Sequence, residues 1–214
     1  MLPKLISLNL GRPEVVTYFG KEVQTGGRKS PVAEAFLRRV GFEGDGQADL
    51  KNHGGPDKAA CVYAFDHYPF WEARLGRPLT PGAFSENLTT GGLLESEVCI
   101  GDVFRLGGAR VQVSQPRQPC SKLAGRFNRR ELPEEIHATG FSGFYVRVLD
   151  EGLVRAGDSI ELLERDPAGV TVQFINELLY RKRTDAASFE RALSVAALSE
   201  AGRAALLKRL ATSR

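Results

Sequence analysis

The stretch VCIGDVFRLGGARVQVS, residues 98–114, decides the fold class of this chain. Residues 98–106 and 109–114 have the character of two strands, and the Gly107-Gly108 pair between them is typical of a two-residue β-hairpin turn. Outward from this hairpin, the sequence predicts further strands at 4–10, 59–65, 144–149 and 159–163, the last two paired with each other. The 23 glycines among 214 residues exceed the usual share of about 7%, which indicates many turns. The pattern therefore predicts a fold that is mainly β.

Helical spacing interrupts this β pattern in two places. Residues 31–40 are predicted to form a helix, because their apolar side chains recur with a helical period and Ser30-Pro31 is a favourable cap and first-turn pair. Residues 66–75 are predicted to form another helix, which ends at Gly76.

The character of the sequence changes after residue 165, where apolar residues repeat with a helical period in three short segments. Asp185 and Ser199 stand where helix caps belong. We therefore predict a mainly β domain over residues 1–164 and a three-helix extension over residues 165–214. A helix-turn-helix is the alternative for the extension, but its positive charges are spread over all three helices instead of one recognition face.

Charge, hydropathy and cysteine content exclude several classes of protein. A net charge of +3 is too mild to indicate nucleic-acid binding. The longest apolar run, residues 59–65, is far shorter than the ~20 residues that a membrane-spanning helix needs. No charged segment followed by a long apolar one marks a signal peptide, so we expect a cytoplasmic protein with no membrane partner. Three widely spaced cysteines exclude a disulfide framework, CxxC zinc sites and iron–sulfur cysteine runs.

The chemistry is expected at Cys120, within VQVSQPRQPCSKL (residues 111–123). Two prolines end the preceding strand and stiffen the turn, while Arg117 and Lys122 place positive charge beside the thiol. Nearby cations lower the pKa of a thiol. Such a thiol suits a nucleophile, a persulfide carrier or a soft metal ligand, whereas a buried structural role is the alternative. The other two thiols lie in apolar strands and are predicted to be structural: Cys61 and Cys99.

Two further loop stretches carry polar groups, with an ordinary solvated loop as the alternative for each. EGDGQADLKNHGGPDKA (residues 43–59) places His53 beside a Gly-Gly turn whose backbone N–H groups can approach an anion. A histidine there can bind or protonate a ligand. PGAFSENLTTGG (residues 81–92) offers Asn87 and Thr89 as hydrogen-bonding side chains.

The stretch GKEVQTGGRKSPV (residues 20–32) combines cations with a predicted helix start. Lys21 and Arg28 precede the helix predicted at 31–40. Positive side chains beside a helix N-terminus favour a phosphate group. A solvated basic loop is the alternative here too.

Together, these stretches resemble the MOSC domain family, named for the C-terminal domain of molybdenum cofactor sulfurase. Within the family, the chain is most similar to the YiiM-type proteins, which carry a three-helix extension after the MOSC domain. The resemblance covers nearly the whole chain. The pieces that carry it are TGGRKSPV (25–32), GFEGDGQADLKNHGGPDKA (41–59), PGAFSENLTT (81–90), IGDVFRLG (100–107) and VSQPRQPC (113–120).

The resemblance implies a barrel-like β body that binds the molybdenum cofactor, molybdopterin, with Cys120 as the catalytic thiolate ligand of the metal. YiiM-type proteins are associated with detoxifying reduction of N-hydroxylated compounds such as 6-N-hydroxylaminopurine. In that reaction R–NHOH, two protons and two electrons give R–NH₂ and water, and His53 is the expected proton donor. The expected cofactor-binding side chains are Lys21, Arg28 and Arg117 for the phosphate, and Asn87 and Thr89 for the pterin or the substrate.

The electrons are expected to come from a separate reductase, because the sequence has no GxGxxG loop and no iron–sulfur cysteine run. The alternative function is a non-redox module that carries or stores the cofactor or a persulfide, since a fold does not fix a function. The sequence sets no oligomeric state. We expect five of the site residues to line one pocket: Cys120, His53, Asn87, Arg117 and Lys21.

Overall fold

The computed structural model describes residues 3–180 and 184–212. Its strands form an eight-stranded sheet, a three-stranded sheet and a two-stranded hairpin. In chain order the strands are β1 (Lys4–Leu10), β2 (Glu14–Tyr18), β3 (Lys21–Thr25), β4 (Ser30–Val32), β5 (Glu34–Arg38), β6 (Gly41–Phe42), β7 (Ala60–Ala64), β8 (Leu88–Gly91), β9 (Val103–Leu106), β10 (Ala109–Pro116), β11 (Phe144–Asp150), β12 (Gly152–Arg155) and β13 (Ile160–Glu164). The fold is mainly β, which confirms the predicted class.

The large sheet has the order β13-β9-β10-β11-β7-β8-β1-β4 and is antiparallel except for the parallel pair β7 and β8. The segment that leads into β13 returns to β1. The backbone N–H of Leu5 donates to the carbonyl of Asp158 at 2.9 Å, and the N–H of Gly157 donates to the carbonyl of Leu5 at 2.8 Å. These bonds close most of the sheet on itself, as a barrel requires.

Helices cover the loops of the barrel and form the end of the chain. In chain order they are α1 (Leu50–His53), α2 (Tyr68–Leu75), α3 (Ser121–Arg126), α4 (Leu132–Thr139), α5 (Val172–Tyr180), α6 (Ala186–Ser194) and α7 (Glu200–Ala211), with short 3-10 turns at Pro56–Lys58 and Phe65–His67. The predicted helix at 66–75 is confirmed as α2, which ends where Gly76 adopts a left-handed φ of 66°. No described helix has the length and apolar character that crossing a membrane demands.

The three predicted helices of the extension are confirmed as α5, α6 and α7, and both predicted caps are present. The Asp185 side chain accepts a hydrogen bond from the backbone N–H of Ser188, and the Ser199 side chain accepts one from Gly202. Each cap satisfies an N–H group that the first helical turn leaves unpaired. Local signals were sufficient for these helices.

The barrel and the last three helices share one hydrophobic core. Val113 of β10 is buried in the same cluster as Ile175 of α5 and Phe189 of α6. Strand β13 ends at Glu164 and α5 begins at Val172. Because the two segments share their core, the division into domains 1–164 and 165–214 stays a prediction.

The helix predicted at 31–40 is wrong, because this segment forms strands β4 and β5. Strand β5 pairs with β12, which places Leu37 opposite Gly152 and buries the Leu37 side chain completely. Strand β4 is an edge strand on β1, where Pro31 can be accommodated although it has no N–H to donate. Apolar spacing favoured a helix, but pairing with distant segments decides the structure.

Two details of the predicted strands are also wrong. Residues 144–149 and 159–163 do form strands, but β11 lies between β10 and β7, while β13 pairs with β9. In the central hairpin, β9 begins only at Val103. The residues before it form a turn in which the buried Asp102 carboxylate accepts a hydrogen bond from the backbone N–H of Cys99 at 2.8 Å.

Candidate functional site

Loops from distant parts of the chain surround a pocket with about 750 Å³ of open space, which we call the Cys120 pocket. Four of the five residues predicted to converge line it: Cys120, His53, Asn87 and Arg117. His53 ends α1, Asn87 directly precedes β8, and Arg117 and Cys120 follow β10.

Cys120 lies between the end of β10 and the start of α3, and its side chain is half-buried. Burial alone would raise the pKa of this thiol. The His53 side chain, the backbone N–H of Leu123 and the charge of Arg117 stabilise the thiolate instead, and the pKa falls from 9.0 to about 7. Cys120 is therefore a thiolate in about half of the molecules at neutral pH.

His53 ends α1, directly before the Gly-Gly turn, and its side chain is hydrogen-bonded to Cys120. Its Nδ1 lies 3.7 Å from a carboxylate oxygen of Asp49, one helical turn earlier. The imidazole is partly exposed, so it can exchange protons with solvent. This arrangement places a proton donor and acceptor directly beside the thiolate.

Arg117 follows β10 and is almost completely buried, with 6% of its surface exposed. Its backbone N–H donates to the carbonyl of Gly143 at 3.0 Å. The guanidinium nitrogen Nη1 is fully buried and has no hydrogen-bond partner among the described residues. An unpaired buried donor of this kind costs about 1–3 kcal/mol or more, because it has lost its hydration. An anionic group in the pocket would satisfy it.

The rest of the lining is strongly basic. Lys122 and Arg126 lie one turn apart on the pocket side of α3, and Arg126 also donates to the carbonyl of Gly27 at 2.7 Å. Lys58 approaches from the 3-10 turn, and burial lowers the pKa of its amine. Together with Arg117 and Lys29, these side chains make the pocket attractive to a ligand that carries negative charge.

Lys29 is held in place by a buried polar network. Its ammonium group pairs with Oδ1 of Asp45 at 2.5 Å, and the same carboxylate accepts from the Asn87 amide at 2.9 Å through Oδ2. The Asn87 amide oxygen accepts from the backbone N–H of Cys61 at 3.2 Å. Asn87 was predicted to bind the pterin or the substrate. Its amide is already used within the protein, so in this structure it positions Asp45 and Lys29.

Glycine backbones form one wall of the pocket. A side chain at Gly26 would place its Cβ only 2.0 Å from the carbonyl oxygen of Gly46, so the two loops touch. A Cβ at Gly27 would lie 2.9 Å from Oγ of Ser85. Only glycine permits this close approach, and it leaves a smooth cradle beside the cations.

Three residues predicted to bind the cofactor lie outside the pocket. Lys21 is exposed at the start of β3, and Arg28 is exposed and pairs with Glu14 at 3.7 Å. The helix N-terminus that Lys21 and Arg28 were predicted to precede is absent, because residues 31–40 form strands. Thr89 is fully buried behind the pocket, where its hydroxyl donates to Glu86 at 2.7 Å. The predicted cofactor contacts of these three residues therefore have no support from their positions.

The prediction missed other side chains that line the pocket. Lys29 lines the pocket and Arg28 does not. The spacing of Lys122 and Arg126 by four residues was a usable signal, since a helix places such residues on one face. Nothing in the local sequence indicated Tyr145 or Lys58.

Cys61 also borders the pocket, although it was predicted to be purely structural. It lies inside strand β7, and burial raises the pKa of its thiol to about 11. Cys61 is therefore neutral at physiological pH and acts as a small apolar side chain.

Comparison with known proteins places these features in context. A family model described as "MOSC domain" matches residues 49–161, and one described as "YiiM-like, 3-alpha helix domain" matches residues 170–213. The uncharacterized protein YflK of Bacillus subtilis (strain 168) is 55% identical over 206 residues, which cover 96% of this chain and 93% of YflK. Protein YiiM of Escherichia coli (strain K12) is 38% identical over 208 residues, which cover 92% of both chains.

This chain is also similar to a solved structure and to part of a longer protein. The crystal structure of YiiM from Geobacillus stearothermophilus superposes with a TM-score of 0.83 at 41% identity, covering 97% of this chain and 99% of that chain. A protein of Gibberella moniliformis (strain M3125 / FGSC 7600) named "Reductase" is 40% identical over 136 residues, which cover 61% of this chain and 24% of that protein.

Proposed function

The chain belongs to the MOSC domain family and carries the YiiM-like three-helix domain, and on this premise we propose that it is a molybdenum-cofactor-dependent reductase of N-hydroxylated compounds. MOSC domains are associated with binding of the molybdenum cofactor. One observation carries the proposal beyond family membership: a thiol with a pKa of about 7 faces a basic pocket beside a buried, unpaired guanidinium nitrogen.

The residues of the Cys120 pocket fit such a cofactor. Cys120 offers a soft thiolate, which suits a soft metal centre. Arg117, Lys29 and Arg126 would hold the negatively charged phosphate, and Nη1 of Arg117 would gain its missing partner. The glycine wall at Gly26 would accommodate the flat pterin ring.

Among the described residues, no group of three or more His, Cys, Asp or Glu side chains could hold a metal ion. A metal at Cys120 must therefore obtain most of its ligands from the group that carries it. A dithiolene-bearing cofactor meets this requirement, because it supplies two sulfur ligands of its own.

The chain's own residues would bind the substrate and move its protons. When bound, the cofactor supplies two-electron redox chemistry at its metal. His53, beside Cys120, would donate a proton to the hydroxyl oxygen of R–NHOH, which leaves as water while the nitrogen remains as R–NH₂. The balance requires two protons and two electrons, and we propose that a separate reductase provides the electrons. The fungal relative named "Reductase" supports this direction of reaction.

The substrate class we propose is an N-hydroxylated base or a related small molecule, with 6-N-hydroxylaminopurine as the test compound. Protein produced in cells that make the cofactor is purified gently and its molybdenum content is measured. Reduction of the test compound is then followed with a chemical reductant. We expect bound molybdenum and formation of the amine. Bound molybdenum without turnover would favour a non-redox carrier, and protein that neither retains molybdenum nor turns over after reconstitution would contradict the proposal.

A further inference from the structure

A second cavity adjoins the Cys120 pocket, and we call it the tail-side cavity. It has about 1030 Å³ of open space and shares several lining residues with the Cys120 pocket, among them His53, Cys120 and Tyr145. Ala201, in the first turn of α7, also lines it. Cys120 therefore lies where two cavities meet, and one of them is bounded by the three-helix extension.

Hydrogen bonds fix α7 against the strand that leads to Cys120. The backbone N–H of Ser199 donates to the carbonyl of Ser114 at 3.0 Å, and the Ser199 hydroxyl donates to the Gln115 side chain at 2.6 Å. The same hydroxyl oxygen accepts from the backbone N–H of Gly202 at 2.9 Å, which caps α7. The helix start and β10 are thus joined through a single buried serine.

Close packing reinforces this attachment. A Cβ at Gly202 would lie 2.9 Å from Leu198 and 3.0 Å from the Ser199 hydroxyl, so glycine allows the first turn of α7 to pack closely on the segment that caps it. At 3.5 Å, the same Cβ would be in ordinary van der Waals contact with Gln115 of β10. Leu206, one turn further, is completely buried in the shared core. The methyl group of Ala201 therefore has a fixed position relative to Cys120, although Ala201 itself is exposed.

The two cavities differ in the chemistry of their walls. The glycine cradle and the cations Lys29 and Arg126 belong to the Cys120 pocket and not to the tail-side cavity. Both cavities share Gln118, Lys58 and Lys122. The tail-side cavity adds Ser121 and the buried Gln115, whose amide is already bonded to Ser199 and to the carbonyl of Pro116. The Gln118 amide and the Ser121 hydroxyl can pair with the hydrogen-bonding edge of a flat heteroaromatic base.

We propose that the tail-side cavity is the route by which substrate reaches Cys120, and that Ala201 of the three-helix extension sets the width of this route. The inference rests on the proposed function: a cofactor that fills the Cys120 pocket leaves this second opening for the substrate. It assigns the extension a role in selecting substrates by size. A base-sized N-hydroxylated compound passes the small Ala201 side chain.

The first test needs neither cofactor nor turnover. Ala201→Trp is compared with Ala187→Trp, because both alanines are exposed second residues of capped helices and Ala187 does not line either cavity. Alkylation of Cys120 is measured with iodoacetamide and with a bulky fluorescein maleimide, using Cys120→Ser as the background. Melting temperature confirms folding, and Ala201→Leu provides a smaller step in size.

We expect Ala201→Trp to lower the rate of Cys120 alkylation by the bulky reagent about tenfold, and the rate with iodoacetamide by less than about twofold. Ala201→Leu should give an intermediate rate with the bulky reagent, and Ala187→Trp should leave the rate unchanged. Equal rates for the bulky reagent in all folded variants would overturn the proposal, because the thiol would then be reached by another route.

The second test uses the loaded enzyme. Ala201→Trp should raise KM for 6-N-hydroxylaminopurine about tenfold, with kcat for a small N-hydroxylated compound such as N-hydroxyurea preserved. If the wild type shows no turnover but the alkylation pattern holds, the proposed function fails and the route stands. If turnover is present and insensitive to residue 201 for both substrates, the route fails and the proposed function stands.

Discussion

Strand β7 and the loop before α3 each bring a cysteine to the same pocket, with opposite consequences. In β7, burial raises the pKa of Cys61 to about 11. In the loop, His53, the Leu123 N–H and Arg117 outweigh burial and bring the pKa of Cys120 to about 7. At neutral pH, a substantial share of Cys120 is therefore ionised, whereas Cys61 stays a neutral thiol. Position at a pocket does not make a thiol reactive; the groups that stabilise its charge do.

The largest expected effect is the difference between replacing Cys120 and replacing Cys61 with serine. Cys120→Ser replaces an easily ionised soft ligand with a hydroxyl that stays protonated, so turnover should fall by about a hundredfold or more while the fold is retained. Cys61→Ser should keep its chemistry but lose about 1–3 kcal/mol of unfolding free energy, because it buries a hydroxyl in an apolar strand. Turnover and melting temperature are measured for both. Full activity of a folded, molybdenum-loaded Cys120→Ser protein would contradict the ligand assignment.

The next effect concerns Arg117, the buried positive charge near both thiols. Arg117→Met removes the buried guanidinium whose Nη1 has no partner among the described residues, and it keeps much of the side-chain volume, so the melting temperature should stay the same or rise. Molybdenum retained through gel filtration should fall about tenfold, because the anionic group loses its strongest partner. Arg28→Met, at an exposed cation outside the pocket, is the control. Equal retention in both variants would remove Arg117 from cofactor binding.

A smaller effect should appear in the pH dependence of Cys120. His53→Ala removes a group that lowers the pKa of this thiol, so the midpoint of alkylation should move from about pH 7 towards 9.0, the ordinary value. The rate of iodoacetamide reaction is measured between pH 5 and pH 10. His137→Ala is the control, since His137 stacks on Tyr180 away from the pocket. A midpoint that does not move would show that Arg117 and the backbone alone stabilise the thiolate.

Features of the fold that depend on nearby residues could be predicted from the sequence, whereas features that depend on distant residues could not. Helices α6 and α7 followed from apolar spacing and from the caps Asp185 and Ser199, which act within one turn. The segment 31–40 was predicted incorrectly because β5 depends on pairing with β12, far along the chain.

The same difference between local and distant determinants applies to the residues of the candidate site. Cys120 and His53 could be found because their neighbours in sequence are unusual. The choice between Arg28 and Lys29 could not, since it depends on which of the two side chains the fold brings to Asp45. The role of Asn87 was hidden for the same reason: its partners, Asp45 and the backbone of Cys61, are brought to it only by the fold.

The central claim is that Cys120, and not Cys61, is the protein ligand of a pocket-bound molybdenum centre. X-ray absorption at the molybdenum edge counts the sulfur ligands directly in the wild-type, Cys120→Ser and Cys61→Ser proteins, each loaded with cofactor. We predict one sulfur ligand fewer in Cys120→Ser than in the wild type, and no change in Cys61→Ser. An unchanged sulfur count in Cys120→Ser, or a loss in Cys61→Ser, would contradict the account.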